Sequence, residues 1–316
     1  MVNMKRYFFV LFLALLSNLA YGKPLKLLYW NIQNGMWADQ QNNYDNFVKF
    51  VKDQAPDICV WCEAKSLYYD GTDKGFADDM ERYLPSNWDE LAERYGHSYV
   101  YLGGYRDNYP QVITSKYPIR NAKRLVGERP DSIVSHGAAW AQITIKGKTY
   151  NIVTLHTWPM PWAYGANGEN RKESQANHGG DCQRRLELEY ICQHSYLTRP
   201  NPDKELWMMM GDFNSRSIVD NYHYRLPENS PMFYVHNYIR EHTTYRDVIA
   251  EKHPGDFQTT VLGDARIDFI YASPSMMDRI GKANVIREGF AANHRVDISN
   301  FCIPSDHLPI LIEFKP

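Results

Sequence analysis

The chain has almost no excess charge of either sign: 35 Lys and Arg stand against 37 Asp and Glu, a formal −2 at pH 7. That balance argues against a protein gripping duplex nucleic acid through bulk positive charge. It leaves room for a local basic groove that releases what it binds. Cysteine is also scarce. The five present are an odd number, which leaves at least one unpaired in an exported chain. No HExxH and no Cys/His cluster is found, so the usual sequence signs of zinc are missing. Cys59 and Cys62 flank Val60-Trp61 in an apolar run without the turn that a redox or zinc CxxC needs, so both read as core thiols. Cys182 and Cys192 lie on one expected helix with about 15 Å of rise between them, too far to bond to each other. A bridge from either to Cys302 stays open, and core packing is the default for all five. Finally, no Pro/Gly/Ser linker, repeat or low-complexity tract interrupts the chain, so residues 23–316 are expected to form one domain.

What is present begins with an address. Lys5 and Arg6 precede an unbroken apolar stretch from Tyr7 to Leu16, followed by Ala20-Tyr21-Gly22. A positive segment, an apolar core and a small-x-small site make residues 1–22 a secretory signal peptide, cut after Gly22 or Ala20. A membrane anchor is the alternative, but the run is too short to span a bilayer comfortably, and no later segment is long and apolar enough. Loss of Lys5 and Arg6 moves the formal charge from −2 to −4. The expectation is an exported protein, periplasmic or extracellular, monomeric and without a stable membrane span.

Periodicity along the rest alternates between two and 3.6 residues. Apolar strands are expected at Leu25–Asn31, Asp57–Glu63, Tyr99–Gly103, Gln111–Ser115, Ala138–Ile145, Tyr150–His156, Leu206–Met210, Ile267–Ala272 and Pro309–Phe314. Helices are expected at Tyr44–Lys52, within Gly75–Tyr95 and at Cys182–Tyr196. On the last of these, Leu186, Tyr190 and Ile191 lie on a face opposite Arg185 and Glu189. Many strands are joined by hairpin-length connections such as Lys146-Gly147-Lys148. The pattern suggests mixed sheets packed face to face with helices outside.

Polar residues collect at strand ends. Asn31, Glu63, His156, Asp212, Asn214, Asp268, Asp306 and His307 each read as standing at or just beyond the C-terminal end of an apolar run, the edge where layered α/β proteins build sites. Any one of them is explained by the preference of Asp and Asn for turns. Eight together, two of them histidines, are not. Gly211-Asp212-Phe213-Asn214, Arg266-Ile267-Asp268-Phe269-Ile270-Tyr271 and Ser305-Asp306-His307 supply a near-neutral base, a carboxylate to orient it and oxygens for a hard cation. Those are the requirements of metal-dependent phosphoester hydrolysis.

Trp30-Asn31-Ile32-Gln33, Val60-Trp61-Cys62-Glu63, Thr154-Leu155-His156-Thr157, Gly211-Asp212-Phe213-Asn214, Arg266-Ile267-Asp268-Phe269-Ile270 and Ser305-Asp306-His307-Leu308-Pro309 together resemble, in order, the motifs of the endonuclease/exonuclease/phosphatase superfamily. Its members include DNase I-like nucleases, abasic-site endonucleases, neutral sphingomyelinases and inositol-phosphate phosphatases. The resemblance covers nearly all of the chain after residue 22. It implies an α/β fold of the α+β kind, a four-layered α/β/β/α sandwich, and a Mg²⁺- or Mn²⁺-dependent phosphoesterase. It further implies that Glu63 is the principal metal ligand, helped by Asn31 and Asp306. Asp268 and His307 become an orienting pair, Asp212 and Asn214 hold the attacking water and a phosphoryl oxygen, and His156 donates to another. How proton duties divide between Asp212 and His307 is left open.

Two departures from the family pattern stand out. Cys62 replaces the Gln that usually precedes the metal-binding Glu. Ser135-His136-Gly137 replaces a segment that often carries Arg, so His136 either contacts substrate phosphate or caps a strand. Tyr105-Arg106-Asp107-Asn108-Tyr109 resembles a segment whose acid pairs with the first catalytic histidine, which makes Asp107 either a partner for His156 or a solvated loop residue. Substrate choice is expected in Thr157–Gly180, where Trp158, Trp162 and Tyr164 either stack on a base or sugar ring, enter a lipid surface, or pack the loop onto its own domain. Asn221-Tyr222-His223-Tyr224-Arg225 is the candidate for the opposite wall. Neither has the Arg/Lys density of a duplex groove. The leading expectation is an exported, endonuclease-like phosphodiesterase acting on nucleic acid, with phosphomonoester hydrolysis not set aside. A sphingomyelinase-like enzyme for phospholipid head groups, or a sugar- or inositol-phosphate phosphatase, is the alternative. A non-catalytic binding module on the same fold is disfavoured because Glu63, Asp212, Asp268 and His307 are all retained.

Overall fold

A computed structural model describes residues 23–64, 88–103, 109–125, 133–292, 295–298 and 301–316. The signal-peptide segment 1–22 and Asp107 lie outside the described residues. Chain order gives β1 (Lys26–Asn31), β2 (Ile58–Cys62), β3 (Tyr99–Leu102), β4 (Val112–Ser115), β5 (Ile119–Arg124), β6 (Ala138–Ile145) and β7 (Lys148–His156). It continues with β8 (Leu206–Asp212), β9 (Arg246–Asp247), β10 (Asp268–Ala272), β11 (Ile280–Val285), β12 (Arg295–Ile298), β13 (Phe301–Ile303) and β14 (Ile310–Phe314). One six-stranded sheet runs β11-β14-β1-β2-β4-β3 and a second runs β5-β6-β7-β8-β10-β9, while β12 and β13 form a separate hairpin.

Alternation of side chains along each strand explains the layering. Leu27 and Tyr29 of β1, Ile58 and Val60 of β2, Met208 and Met210 of β8, and Ile270 and Ala272 of β10 share one core between the sheets. Their neighbours Leu28, Trp30, Cys59 and Trp61 face outward from the first sheet, onto Phe47, Val48, Phe50 and Val51 of α1 (Asp45–Gln54) and Leu91 and Ala92 of α2 (Trp88–Arg94). On the far side, Trp207, Met209, Phe269 and Tyr271 pack on Leu188 and Ile191 of α3 (Gly179–Gln193) and Val235 and Ile239 of α4 (Tyr234–His242). Three apolar layers thus separate helix, sheet, sheet and helix, the α/β/β/α sandwich.

The same alternation aims the polar residues. Asp212 continues the inward series Met208, Met210, and Asp268 begins the inward series Ile270, Ala272. Register sets Asp212 opposite His156 of parallel β7 and opposite Asp268 of antiparallel β10, making one row across the second sheet. Asn31 continues Leu27 and Tyr29 inward from the first sheet, opposite Cys62. Gly211 lets β7 and β8 approach at this edge, since a Cβ there would stand 2.0 Å from the Leu155 carbonyl oxygen.

Three expectations need correction. Asp268 opens β10, and Asp306 and His307 precede β14, so these residues lie at N-terminal strand ends. They reach the common edge because β10 and β14 run antiparallel to β8 and β1. On α3 one position of the expected face fails: Ile191 is buried and Tyr190 half-buried, but Leu186 is 52% exposed, whereas Arg184 and Glu187 are buried. Cys182 is exposed and free, while Cys59, Cys62 and Cys192 are buried thiols. Strands β5, β9, β11, β12 and β13 were not anticipated; an edge strand such as β5 exposes most of its residues and carries no apolar alternation.

Candidate active site

At the shared edge the two sheets face one another across a narrow polar gap. Glu63 follows β2 with φ 54°, a left-handed turn that aims its carboxylate back towards β1. There Glu63 Oε1 accepts from Asn31 Nδ2 at 3.1 Å and Oε2 from the Asn34 amide at 2.9 Å. Asn31 Nδ2 also donates to Asp212 Oδ2 at 3.1 Å, while Asn31 Oδ1 accepts from the Gln33 amide. One amide nitrogen thereby bridges carboxylates from both sheets. His307 Nδ1 bonds Asp268 Oδ2 at 2.7 Å, leaving Nε2 3.7 Å from Asp212 Oδ2 and 3.8 Å from Asp306 Oδ1.

Asp268 has a second partner that sequence reasoning missed. The Tyr29 hydroxyl donates to its Oδ1 at 2.7 Å, from the opposite sheet. The signal was there in outline: Tyr29 stands two residues before Asn31 and therefore on the same face.

These contacts fix charge. Burial opposes protonation of His307, but Asp268 and Asp306, with the Asp268 hydrogen bond and Asp212, outweigh it and raise its pKa well above the usual histidine value. Asp212 is pushed up to about 8 by burial, with Asp268 and Glu63 adding repulsion and His307 opposing. Glu63 is raised by burial and then by Asp306, against the pull of His307 and two hydrogen bonds. Acidic groups this crowded and dry are stabilised by a cation. The donor chemistry fits one. Single ligand atoms of Glu63, Asp212 and His307 lie within 4.8 Å of one another, and Asp306 Oδ1 is buried without a hydrogen-bond partner. The geometry thus groups Asp212 and His307 with Glu63, whereas the motifs pointed to Asn31 and Asp306.

On the other flank His156 Nε2 lies 3.6 Å from Asp212 Oδ2, and its pKa is lowered by burial, then by His136 and His307. His136 packs against it with ring centroids 4.7 Å apart, and Tyr109 and Trp158 lie 4.8 and 5.5 Å from His136. Burial lowers His136 to about 4. Asn214 donates its amide to the Thr157 carbonyl at 3.0 Å and its backbone N–H to Asp212 Oδ1 at 2.9 Å, clasping the ends of β7 and β8. Trp158 donates its indole N–H to the Trp162 carbonyl and meets Tyr164 edge-on at 4.9 Å, and Arg171 lies over Trp162. The loop after His156 is therefore folded on itself, with Tyr164 still 49% exposed. In the 221–225 segment, Tyr222 is exposed, and His223 stacks on Phe257 and pairs with Asp264.

The model for the Endonuclease/Exonuclease/phosphatase family matches residues 28–307. The chain belongs to that family. It is accordingly a phosphoesterase, a metal-dependent hydrolase of phosphoester bonds, and the acidic and histidine cluster is where the family's divalent metal can be held. No curated protein matches the chain in sequence. Among solved structures it is similar to an AP endonuclease from Archaeoglobus fulgidus, with a TM-score of 0.61, 16% identity and coverage of 92% of this chain and 100% of that one. A 3′ phosphatase from Neisseria bound to a product DNA hairpin gives 0.60, 17%, 92% and 100%. The human Nocturnin catalytic domain with bound sulfate gives 0.55, 14%, 93% and 93%. At these identities the likeness speaks for the fold alone.

Proposed function

We propose that the chain is an exported Mg²⁺-dependent phosphodiesterase of the endonuclease kind, acting on nucleic acid. The observation that carries this reading is the Asp268–His307 pair facing Asp212 and Glu63, a proton-handling couple beside a crowded carboxylate pocket. A divalent cation would be held by Glu63, Asp212 and Asp306, and would supply Lewis-acid neutralisation of phosphoryl charge and lower the pKa of a bound water. The chain's own residues do the rest. Asp268 accepts a hydrogen bond from His307 Nδ1–H and so keeps the ring protonated and oriented, with Nε2 facing the gap. There His307 donates to a phosphoryl oxygen as negative charge builds. Asp212, beside it, would be returned to its ionised form by a neighbouring cation and then accepts the proton of the attacking water as the phosphorus–oxygen bond to the leaving group breaks. His156 supplies a further donor on the opposite flank, and Asn214 holds the Asp212 carboxylate in place.

Support for nucleic acid comes from relatives of the same fold, among them the Neisseria 3′ phosphatase with its DNA hairpin, and from the aromatic wall of His136, Trp158 and Tyr164. A second reading, a phospholipid head group, rests on the exposed apolar side chains of Ile133, Met160 and Tyr164. The export proposal rests on Lys5-Arg6 and the apolar run after them. The test is hydrolysis by purified protein with Mg²⁺ of plasmid DNA, RNA, sphingomyelin, a sugar phosphate and bis(4-nitrophenyl) phosphate. Preference for DNA or RNA supports the first reading. Preference for sphingomyelin overturns it in favour of the second, and a sugar phosphate as the preferred substrate overturns both.

A further inference from the structure

Helix α3 carries a carboxylate where an apolar residue is expected. Glu187 has no exposed surface, burial raises its pKa to about 7 against its hydrogen bonds and Arg184, and a carboxyl group in that position needs partners for both oxygens. Both have them. Glu187 Oε1 accepts from the Ser135 amide at 2.7 Å and from Ser135 Oγ at 2.6 Å, and Oε2 accepts from the Trp158 amide at 2.8 Å. One turn earlier, Arg184 Nη1 donates to the carbonyls of Trp158 at 2.9 Å and Met160 at 3.2 Å, while Nη2 holds Asp181. Gly180 allows this close docking, since a Cβ there would stand 2.1 Å from the Met160 carbonyl oxygen.

The two segments held by this one carboxylate present the substrate-side wall. Ser135 is the residue before His136, and Trp158 is two residues after His156. The His136 ring lies between those of His156 and Trp158, 4.7 and 5.5 Å away. We infer that Glu187 is a positioning residue that joins His136 and Trp158 into one wall, and so governs how tightly substrate is held and not how fast its bond is broken. The inference rests on the phosphodiesterase reading for its kinetic form. Its structural basis is separate, because the row His156–Asp212–Asp268 is set by strand register and Glu187 bonds to none of the three.

The experiment compares the full chain with Glu187→Ala and Glu187→Gln, using bis(4-nitrophenyl) phosphate and Mg²⁺, with backbone hydrogen exchange read in parallel. Glu187→Ala is expected to raise KM about tenfold or more with kcat within about threefold, because two backbone amides lose their shared acceptor. Glu187→Gln keeps one acceptor oxygen and is expected to fall between, which preserves the test if the alanine variant does not fold. Unchanged KM in both variants, or a fall in kcat at constant KM, overturns the inference. If the wild-type protein hydrolyses no phosphoester, the functional proposal fails and exchange alone decides. Faster exchange in Glu187→Gln at both 133–136 and 157–160, with 206–214 unaltered, supports the joint clamp. A change in one segment only, or in neither, contradicts it.

Discussion

His307 and His156 flank the same carboxylate oxygen, 3.7 and 3.6 Å from Asp212 Oδ2, and both are almost wholly buried. Burial pushes both towards the neutral form, yet they end in opposite states. His307 has Asp268 on Nδ1 and Asp306 nearby, and is raised. Among the described residues His156 has no carboxylate hydrogen-bonded to its ring, only Asp212 at 3.6 Å, and burial with His136 and His307 nearby lowers it. Partners, not depth, decide the charge of a buried imidazole. The proposed site thereby has a charged flank that would suit an accumulating oxyanion and a neutral flank that would suit holding substrate by hydrogen bonds and ring contacts.

Replacing each histidine by alanine sharpens that contrast most. His307→Ala is expected to lower kcat about 10³- to 10⁴-fold, through loss of both proton handling and charge, and His156→Ala about 10²-fold. Equal losses on an aryl phosphodiester would erase the distinction between the flanks. Next in size is a pH effect on stability. His136 is held near 4 in the folded state by burial, below its unfolded value of about 6.5. Between those values the unfolded chain binds the extra proton, so stability is present above about pH 6.5 and lost as pH falls towards 4, by up to about 3 kcal/mol. Urea unfolding across that range should show His136→Asn flattening the wild-type slope, and parallel slopes would place the titration elsewhere.

On the charged flank, Glu63→Gln is expected to raise the Mg²⁺ concentration for half-maximal activity about 10- to 100-fold, with kcat largely recovered at high metal. An unaltered metal titration would remove Glu63 from the ligand set. The smallest effect belongs to Tyr29→Phe. Loss of one hydrogen bond to Asp268 is worth about 1 kcal/mol, roughly fivefold in kcat with KM unchanged.

Much of this arrangement was legible in the sequence, for a definite reason. Period-two strands ending in Asn31, His156 and Asp212 announce both the inward face and the edge, and the Gly-Asp-Phe-Asn and Ser-Asp-His signatures fall where the strands converge. What stayed hidden depends on contacts between sheets or on a helix face. The Tyr29–Asp268 bond joins residues 239 apart in the chain, and β1 alone gives the face of Tyr29 but not its partner. Glu187 breaks the apolar pattern of α3, so an amphipathic reading found Ile191 but placed Leu186 where Glu187 belongs. Asp268 also looked like a strand-closing residue, because strand direction cannot be read from composition. Glu63 was found from its motif, but the φ of 54° that swings it into the gap was not.

On the proposal above, Glu63, Asp212 and His307 belong to one metal-dependent centre for phosphodiester hydrolysis. Turnover of bis(4-nitrophenyl) phosphate tests it most directly, measured for wild type and His307→Ala before EDTA, after EDTA and after Mg²⁺ is restored. The expected result is wild-type activity abolished by the chelator and recovered with Mg²⁺, and a variant that stays about 10³-fold or more below wild type. Wild-type turnover that survives EDTA, or a His307→Ala protein that matches it, would contradict the claim.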